Sequence, residues 1–250
     1  MSSDHELAAQ IATEAGQALL GIRARHAGAD PAVLKKAGDE GAQEVIAAAL
    51  HLARPEDSVL SEEAADDLAR LQATRVWIID PLDGTREYSE EGRTDWAVHV
   101  ALWESGRLVA GAVALPALGV TLGTGSPPVL PVASDGPLQL IVSRTRASAL
   151  VLAVADRLGA VTVPMGSAGA KAMSVVRGES EAYLHTGGQY EWDSAAPVAV
   201  AAAAGLHTSR VDGSPLMYNN EDPYLPDLLI CRPELADRLL EAVAAEAAGS

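Results

Sequence analysis

Apolar residues recur at helical spacing through the first stretch of the chain. In "DHELAAQIATEAGQALLGIRA", residues 4–24, Leu7, Ile11, Ala15, Ala18, Leu19 and Ile22 share one face, which predicts an amphipathic helix capped by Ser3 or Asp4. The charged, broken run 26–40, "HAGADPAVLKKAGDE", is expected to be a loop. A second helix, "AQEVIAAALHLA", follows and stops before Pro55. Strand patterns then take over. "RVWIID" is a short, β-branched apolar run, which predicts a buried strand ended by Pro81. "WAVHVALWESGRLVAGAVALP" holds two alternating runs joined at "ESGR", a hairpin pattern, and "GVTLGTG" adds a further strand.

The segment 126–137, "SPPVLPVASDGP", is rich in Pro, Gly and Ser and reads as a linker or long surface loop. Beyond it, strands and helices alternate: "LQLIVSRTR", a helix near 148–158, "AVTVP", a helical "SAGAKAMSVVRG", a strand-like "EAYLHT", the helix "WDSAAPVAVAAAAG" with Gly205 as its stop, and a last helix in "PELADRLLEAVAAEAA". That order predicts an α/β C-terminal half over 138–250 behind an α+β N-terminal half over 1–130. The turn-rich "DGSPLMYNNEDPYLPDLL" is expected to pack on the last helix.

Composition narrows the function. At 48% hydrophobic residues the chain can bury a substantial core. Eighteen Lys and Arg against 34 Asp and Glu give a net charge of -16. That balance argues against nucleic acid or an anionic membrane as a docking surface, because phosphate backbones are held by Lys and Arg. A small phosphorylated substrate remains compatible if clustered carboxylates hold cations that in turn hold phosphate. The single Cys231 cannot form an intramolecular disulfide and reads as a small buried hydrophobe. No apolar run reaches transmembrane length and the first residues lack a signal pattern, so a cytoplasmic protein is expected.

The densest chemistry lies in "WIIDPLDGTREY", residues 77–88. Asp80 and Asp83 follow an apolar strand, and Gly84 permits positive φ or close backbone approach. The N–H groups of Gly84 and Thr85 can cradle an anion if a helix starts at Thr85. Two carboxylates facing one crevice repel unless a cation lies between them, and oxygen-only ligands suit Mg²⁺ or Mn²⁺. Glu62 and Glu63 in "VLSEEA", Asp193 in "EWDSAAP" and Asp39 are further candidates. Taken singly, Asp193 reads first as a helix cap, and Glu62 and Glu63 as a solvated helix start. His99, mid-strand, reads as a hydrogen-bonded core or face residue.

"SEEA", "WIIDPLDGT" and "WDSAAP", in that order, resemble the inositol monophosphatase superfamily of Mg²⁺-dependent, lithium-sensitive phosphatases. The resemblance implies the layered αβαβα fold of that superfamily. It implies metal ligation by Glu62, Asp80, the Leu82 carbonyl, Asp83 and Asp193, around two or three Mg²⁺ ions that Mn²⁺ can replace and Li⁺ inhibits. It implies phosphate binding by the N–H groups of Gly84 and Thr85, and a water oriented by Asp39 together with the Thr85 hydroxyl, with Asp30 the alternative to Asp39. Lys35 and Lys36 then fall in a mobile loop that closes the site.

Within the superfamily, "VSRTR" and "GSAGAKAM" resemble segments of the CysQ-type 3′(2′),5′-bisphosphate nucleotidases. This implies removal of the 3′-phosphate from 3′-phosphoadenosine 5′-phosphate, a by-product of sulfate assimilation, with Arg144, Arg146 and Lys171 as substrate contacts. A solvated basic turn and a snorkelling lysine are the alternatives for these three. Ser167 is a looser match, and Tyr190 and Trp192 are candidates for contact with the base. The other functional readings are a broad inositol-1-phosphate and fructose-1,6-bisphosphate phosphatase, and a non-catalytic member of the fold. Family members are often dimers, which makes a homodimer a candidate assembly.

Overall fold

The computed structural model describes residues 2–132 and 136–248. Two long helices come first, α1 (Asp4–Arg25) and α2 (Pro31–Ala53). They are followed by β1 (Ser58–Ser61), β2 (Arg75–Asp83), the one-turn α3 (Thr85–Ser89), β3 (Ala97–Glu104), β4 (Arg107–Leu115) and β5 (Val120–Gly123). These strands form one sheet in sequence order, with β1 parallel to β2 and every other pair antiparallel. The β3–β4 turn is made by Ser105 and Gly106, both at positive φ, which matches the twist of a tight hairpin.

The second half supplies β6 (Gln139–Ser143), α4 (Ala149–Leu158), β7 (Val161–Met165), α5 (Ala168–Val176), β8 (Ala182–Tyr190), α6 (Glu191–Ala203), β9 (His207–Ser209), β10 (Tyr224–Cys231) and α7 (Ala236–Ala248). Its sheet runs β7-β6-β8-β10-β9. Pairing is parallel among β7, β6 and β8 and antiparallel from β8 through β10 to β9. Residues 133–135 of the expected linker lie outside the described residues.

Strand alternation stacks the layers. In β2, Trp77 and Ile79 face α1 and α2 and join Leu7, Ile11, Leu19 and Ile46 in one core. Val76 and Ile78 face the other way, onto α5 and α6, in a second core that also takes Tyr183 and Ile230 from the second sheet. The far face of that sheet, Leu140, Val142, Leu184 and Leu229, packs on α4 and α7 in a third core with the buried Cys231. The layers therefore run helix, sheet, helix, sheet, helix. Each fully buried aliphatic side chain on these faces contributes about 1.5–3 kcal/mol.

Two expectations are corrected and a third is extended. Only 26–30 of the expected loop 26–40 connects the two helices: α2 begins at Pro31, with the Asp30 carboxylate accepting from the Ala32 N–H at 2.7 Å. Pro fits the first helical position, where its missing N–H has no intrahelical acceptor to lose. Leu34, Gly38, Ala42, Ile46 and Leu50 then make a buried stripe. The glycine that reads as a loop signal is a packing residue, since a Cβ on Gly38 would lie 2.7 Å from the Tyr88 ring and 2.8 Å from Leu82. Lys35 and Lys36 thus stand on a helix, Asp30 is its cap, and Lys36 pairs with Glu40 at 3.7 Å. Second, β2 continues through Pro81 to Asp83 by means of a bulge. Third, the turn-rich segment before β10 reaches Arg70 and Glu191 as well as the vicinity of α7.

Candidate active site

A cavity of about 650 Å³ opens between the two sheets. Glu62, Asp80, Leu82, Asp83, Gly84, Thr85 and Asp193 all line it, as do Arg146 and Lys171. The bulge in β2 explains how Asp80 and Asp83 meet. Residues three apart on a regular strand point to opposite faces. Here Asp80 pairs with His99 and Asp83 with Ala97, so three steps on β2 match two on β3. The extra residue turns both carboxylates to one side. One oxygen each from Asp80, Asp83 and Asp193 falls within a 4.8 Å group.

The environments of these acids differ. Asp80 is wholly buried. Its Oδ1 accepts from the Leu82 N–H at 3.0 Å, and its Oδ2 is enclosed with no hydrogen-bond partner among the described residues. Burial, then the charges of Glu62, Asp83 and Asp193, raise its pKa far above the usual carboxylate range. Burial and Asp193 push Glu62 up to about 7; burial and Asp83 push Asp193 up to about 6. Asp193 also serves the helix, accepting from the Tyr190 N–H at 2.6 Å, so cap and crevice roles coexist in one side chain.

Asp83 is held low. Burial alone would raise it, but the charge and contact of His99, whose Nε2 lies 3.1 Å away, outweigh that, with help from Lys171 and Ser167. Its oxygens also accept from the Ser167 hydroxyl and from the N–H groups of Ala168 (3.1 Å) and Gly169 (2.6 Å) at the start of α5. Asp83 therefore ties the first sheet to the second half. His99 is wholly buried and its Nδ1 lies 2.9 Å from the Trp192 carbonyl. Gly169 must be glycine for this packing, because a Cβ there would meet His99 Nε2 at 2.0 Å.

An enclosed carboxylate oxygen with no partner, in a nest of like charges, is uncompensated unless a cation sits beside it. A group of carboxylate oxygens, hard donors with no thiolate among them, suits a divalent cation of the Mg²⁺ or Mn²⁺ kind. The residues present fit such an ion.

Gly84 adopts φ +86° and opens α3. Its left-handed conformation brings it so close to Ser167 that a Cβ would stand 3.0 Å from that side chain. The first N–H groups of α3 have no intrahelical acceptor. The Thr85 hydroxyl donates to the Leu82 carbonyl at 3.3 Å, and no hydrogen bond joins it to Asp39 among the described residues. Asp39 lies on α2 outside the cavity lining, half-buried, and burial with the neighbouring charge of Glu63 raises it to about 7.

The substrate-side residues divide. Arg146 stands exposed in the cavity wall. Lys171 is buried, its Nζ donating to the Ser167 carbonyl at 2.7 Å and lying 5.2 Å from the Tyr183 ring centre; it does not snorkel. Arg144 is a correction. Its guanidinium is committed to Glu87 at 2.6 Å and Glu90 at 2.7 Å, and it does not line the cavity. Tyr190 stacks on Trp192 at 4.7 Å and meets Tyr224 edge-on at 6.1 Å; all three line the cavity. Gln189, unnoticed in the sequence, is also in the wall, and both atoms of its amide lack partners among the described residues. His99 carried a visible signal, a lone polar residue inside an apolar strand. Gln189 and Tyr224 carried none.

Five layers with carboxylates gathered in a crevice between sheets define a metal-dependent phosphatase class. The chain belongs to the inositol monophosphatase family, whose family model matches residues 2–248. It is 52% identical over 239 residues to a 3′-phosphoadenosine 5′-phosphate phosphatase of Mycobacterium tuberculosis, covering 92% of this chain and 90% of the relative. It is 31% identical over 236 residues to the 3′(2′),5′-bisphosphate nucleotidase CysQ of Escherichia coli K12, covering 86% and 94%. Among solved structures, CysQ from Bacteroides thetaiotaomicron superposes with a TM-score of 0.79 at 23% identity, over 92% of this chain and 97% of that one. No described helix is long and apolar enough to cross a membrane.

Proposed function

We propose that the protein hydrolyses the 3′-phosphate of 3′-phosphoadenosine 5′-phosphate, giving AMP and phosphate, with Mg²⁺ as the working cation. The observation that carries the reading is the convergence of Glu62, Asp80, Asp83 and Asp193 on one cavity that also holds Lys171 and Arg146. Half-identity to 3′-phosphoadenosine 5′-phosphate phosphatases along nearly the whole chain supports the substrate. The half 1–130 would supply most of the metal ligands, and the half 138–250 would select the substrate while contributing Asp193 to the metal site.

Glu62, Asp80, the Leu82 carbonyl, Asp83 and Asp193 would hold the ions. Bound there, such ions would supply charge neutralisation of the phosphate, a lowered pKa for a water and stabilisation of the leaving alkoxide. The chain does the rest. The N–H groups of Gly84 and Thr85 hold phosphate oxygens. The Thr85 hydroxyl, in the cavity wall, together with Asp39, on α2 outside that wall, would orient the attacking water. Attack is in line and direct. Arg146 meets the second phosphate. Tyr190 and Tyr224 offer ring faces to the adenine, and the unpaired Gln189 amide offers it a donor and an acceptor.

The test is phosphate release from 3′-phosphoadenosine 5′-phosphate, inositol 1-phosphate and fructose 1,6-bisphosphate, with Mg²⁺, with EDTA and with millimolar Li⁺. The expected result is the highest kcat/KM for the nucleotide and inhibition by both EDTA and Li⁺. A higher kcat/KM for either sugar phosphate overturns the substrate; activity indifferent to EDTA overturns the metal.

A further inference from the structure

Glu62 and Asp193 reach the cavity on separate arms. Glu62 stands on the irregular segment after β1, and Asp193 on the first turn of α6, more than a hundred residues away. Both carboxylates line the one cavity. Like charges on two arms push the arms apart unless another tie holds them.

A closed polar lattice behind the cavity supplies that tie. Arg70, 1% exposed, lies on the short 3-10 turn Leu68–Gln72. Its Nε and Nη2 grip both oxygens of Asp66, at 2.7 and 2.9 Å, four residues beyond Glu62. The same guanidinium donates to Asn219 Oδ1 at 2.7 Å and to the Asn220 carbonyl at 2.9 Å. The N–H groups of Asn219 and Asn220 and the Asn220 amide then donate to the Glu191 carboxylate, at 2.7, 2.8 and 2.8 Å. Glu191 is wholly buried and opens α6 two residues before Asp193. Asn219 holds φ +62°, a left-handed conformation that Asn tolerates better than most residues. Neither Arg70 nor Glu191 lines the cavity. A fork-shaped guanidinium is suited to such multi-point holding, and an ammonium is not.

We infer that Arg70 and Glu191 are positioning residues of the metal centre: the lattice they close through Asn219 and Asn220 fixes the Glu62 turn against the Asp193 helix, so that the carboxylates are gathered before a divalent cation arrives. The inference rests on the metal-dependent reading of the site and adds residues that touch neither ion nor substrate.

Calorimetric titration of Mn²⁺ into the full-length, EDTA-stripped protein tests it, with Arg70→Lys, Glu191→Gln and the milder Asn220→Ala. Partners behind metal ligands typically set affinity by 10–100-fold, so each variant that folds should bind Mn²⁺ roughly tenfold or more weakly. The Mg²⁺ concentration for half-maximal activity should rise in step, while kcat at saturating Mg²⁺ stays within about threefold. Lowered Tm with unchanged Mn²⁺ affinity in the folded variants makes the lattice merely structural and overturns the inference. If Arg70→Lys does not fold, Asn220→Ala decides, because it removes one side-chain amide and keeps the backbone donors. Absence of Mn²⁺ binding by the unmodified protein overturns the reading of the site itself, and the inference falls with it.

Discussion

His99 Nε2 and Asp83 Oδ2 face each other at 3.1 Å inside the protein, with neither side chain meaningfully exposed. Breaking a buried pair by removing one partner leaves the other charge uncompensated. His99→Asn should therefore destabilise the protein by about 3 kcal/mol, read as a shift of the urea midpoint. Asp83 keeps its donors at the start of α5, so the variant should still fold at low temperature. A urea midpoint equal to that of the unmodified protein would show the pair to be idle.

Asp80→Asn replaces a wholly buried carboxyl, whose pKa is driven up by burial and by Glu62, Asp83 and Asp193 and whose Oδ2 has no hydrogen-bond partner among the described residues, with a neutral amide that carries no such penalty. The metal-free variant should be more stable than the metal-free parent, with a higher Tm. Turnover should fall by roughly 10²–10³-fold or more, since the cation's charge stabilisation is worth several kcal/mol. Stability and activity thus move in opposite directions. Near-parental phosphatase activity at saturating Mg²⁺ would end the metal proposal.

Stripped of metal, the protein should lose stability as pH rises. Glu62 near 7 and Asp193 near 6 bind protons when folded that their unfolded counterparts have already released. The folded state therefore holds more protons from about pH 4 to pH 7, and unfolding free energy falls across that window. His99, raised by Asp83 against its burial, adds a loss of the same sign as pH passes its folded pKa. Tm in EDTA should be higher at pH 5 than at pH 8, and Mg²⁺ at pH 8 should restore it. A flat Tm across that range in EDTA would contradict the crowding of these carboxylates.

Arg144 and Arg146 should separate cleanly. Arg146→Ala should raise KM for 3′-phosphoadenosine 5′-phosphate by roughly tenfold or more, the scale of one lost charged hydrogen bond, and leave inositol 1-phosphate unaffected. Arg144→Ala unties Glu87 and Glu90 from the second half and should lower Tm and affect both substrates alike. Equal effects of Arg146→Ala on both substrates would remove it from the second-phosphate site.

Gly38→Ala probes the helix that replaces the expected loop. Its Cβ would stand under 3 Å from Tyr88 and Leu82, and overpacking of this kind costs about 1–3 kcal/mol. Ala has the higher helix propensity, so a stabilised variant would mean that α2 does not pack there as described.

Much was legible along the chain because it is local. Period-two alternation in β2 and β3, the capping of α1 by Ser3 with Glu6, and the stop at Gly205 each depend on a few neighbouring residues. The motif acids were visible too, since Asp80, Pro81, Asp83 and Gly84 are contiguous. Residues 31–40 look like loop along the chain because a glycine required by packing on Tyr88 resembles, in one dimension, a breaker. Arg144 and Arg146 were indistinguishable for a similar reason: two residues apart, they differ only in whether Glu87 and Glu90 lie within reach.

The order of acids, the strand before them and the glycine after them were thus fixed by the chain itself, through steric and hydrogen-bonding rules that act over a few residues. Only the tertiary structure decided that a bulge turns Asp80 and Asp83 to one side, that Asp83 is held low by His99 while Asp80 is driven high, and that Arg70 reaches Glu191 through Asn219 and Asn220. Those outcomes depend on distance in space and on exclusion of water, and sequence separation carries neither.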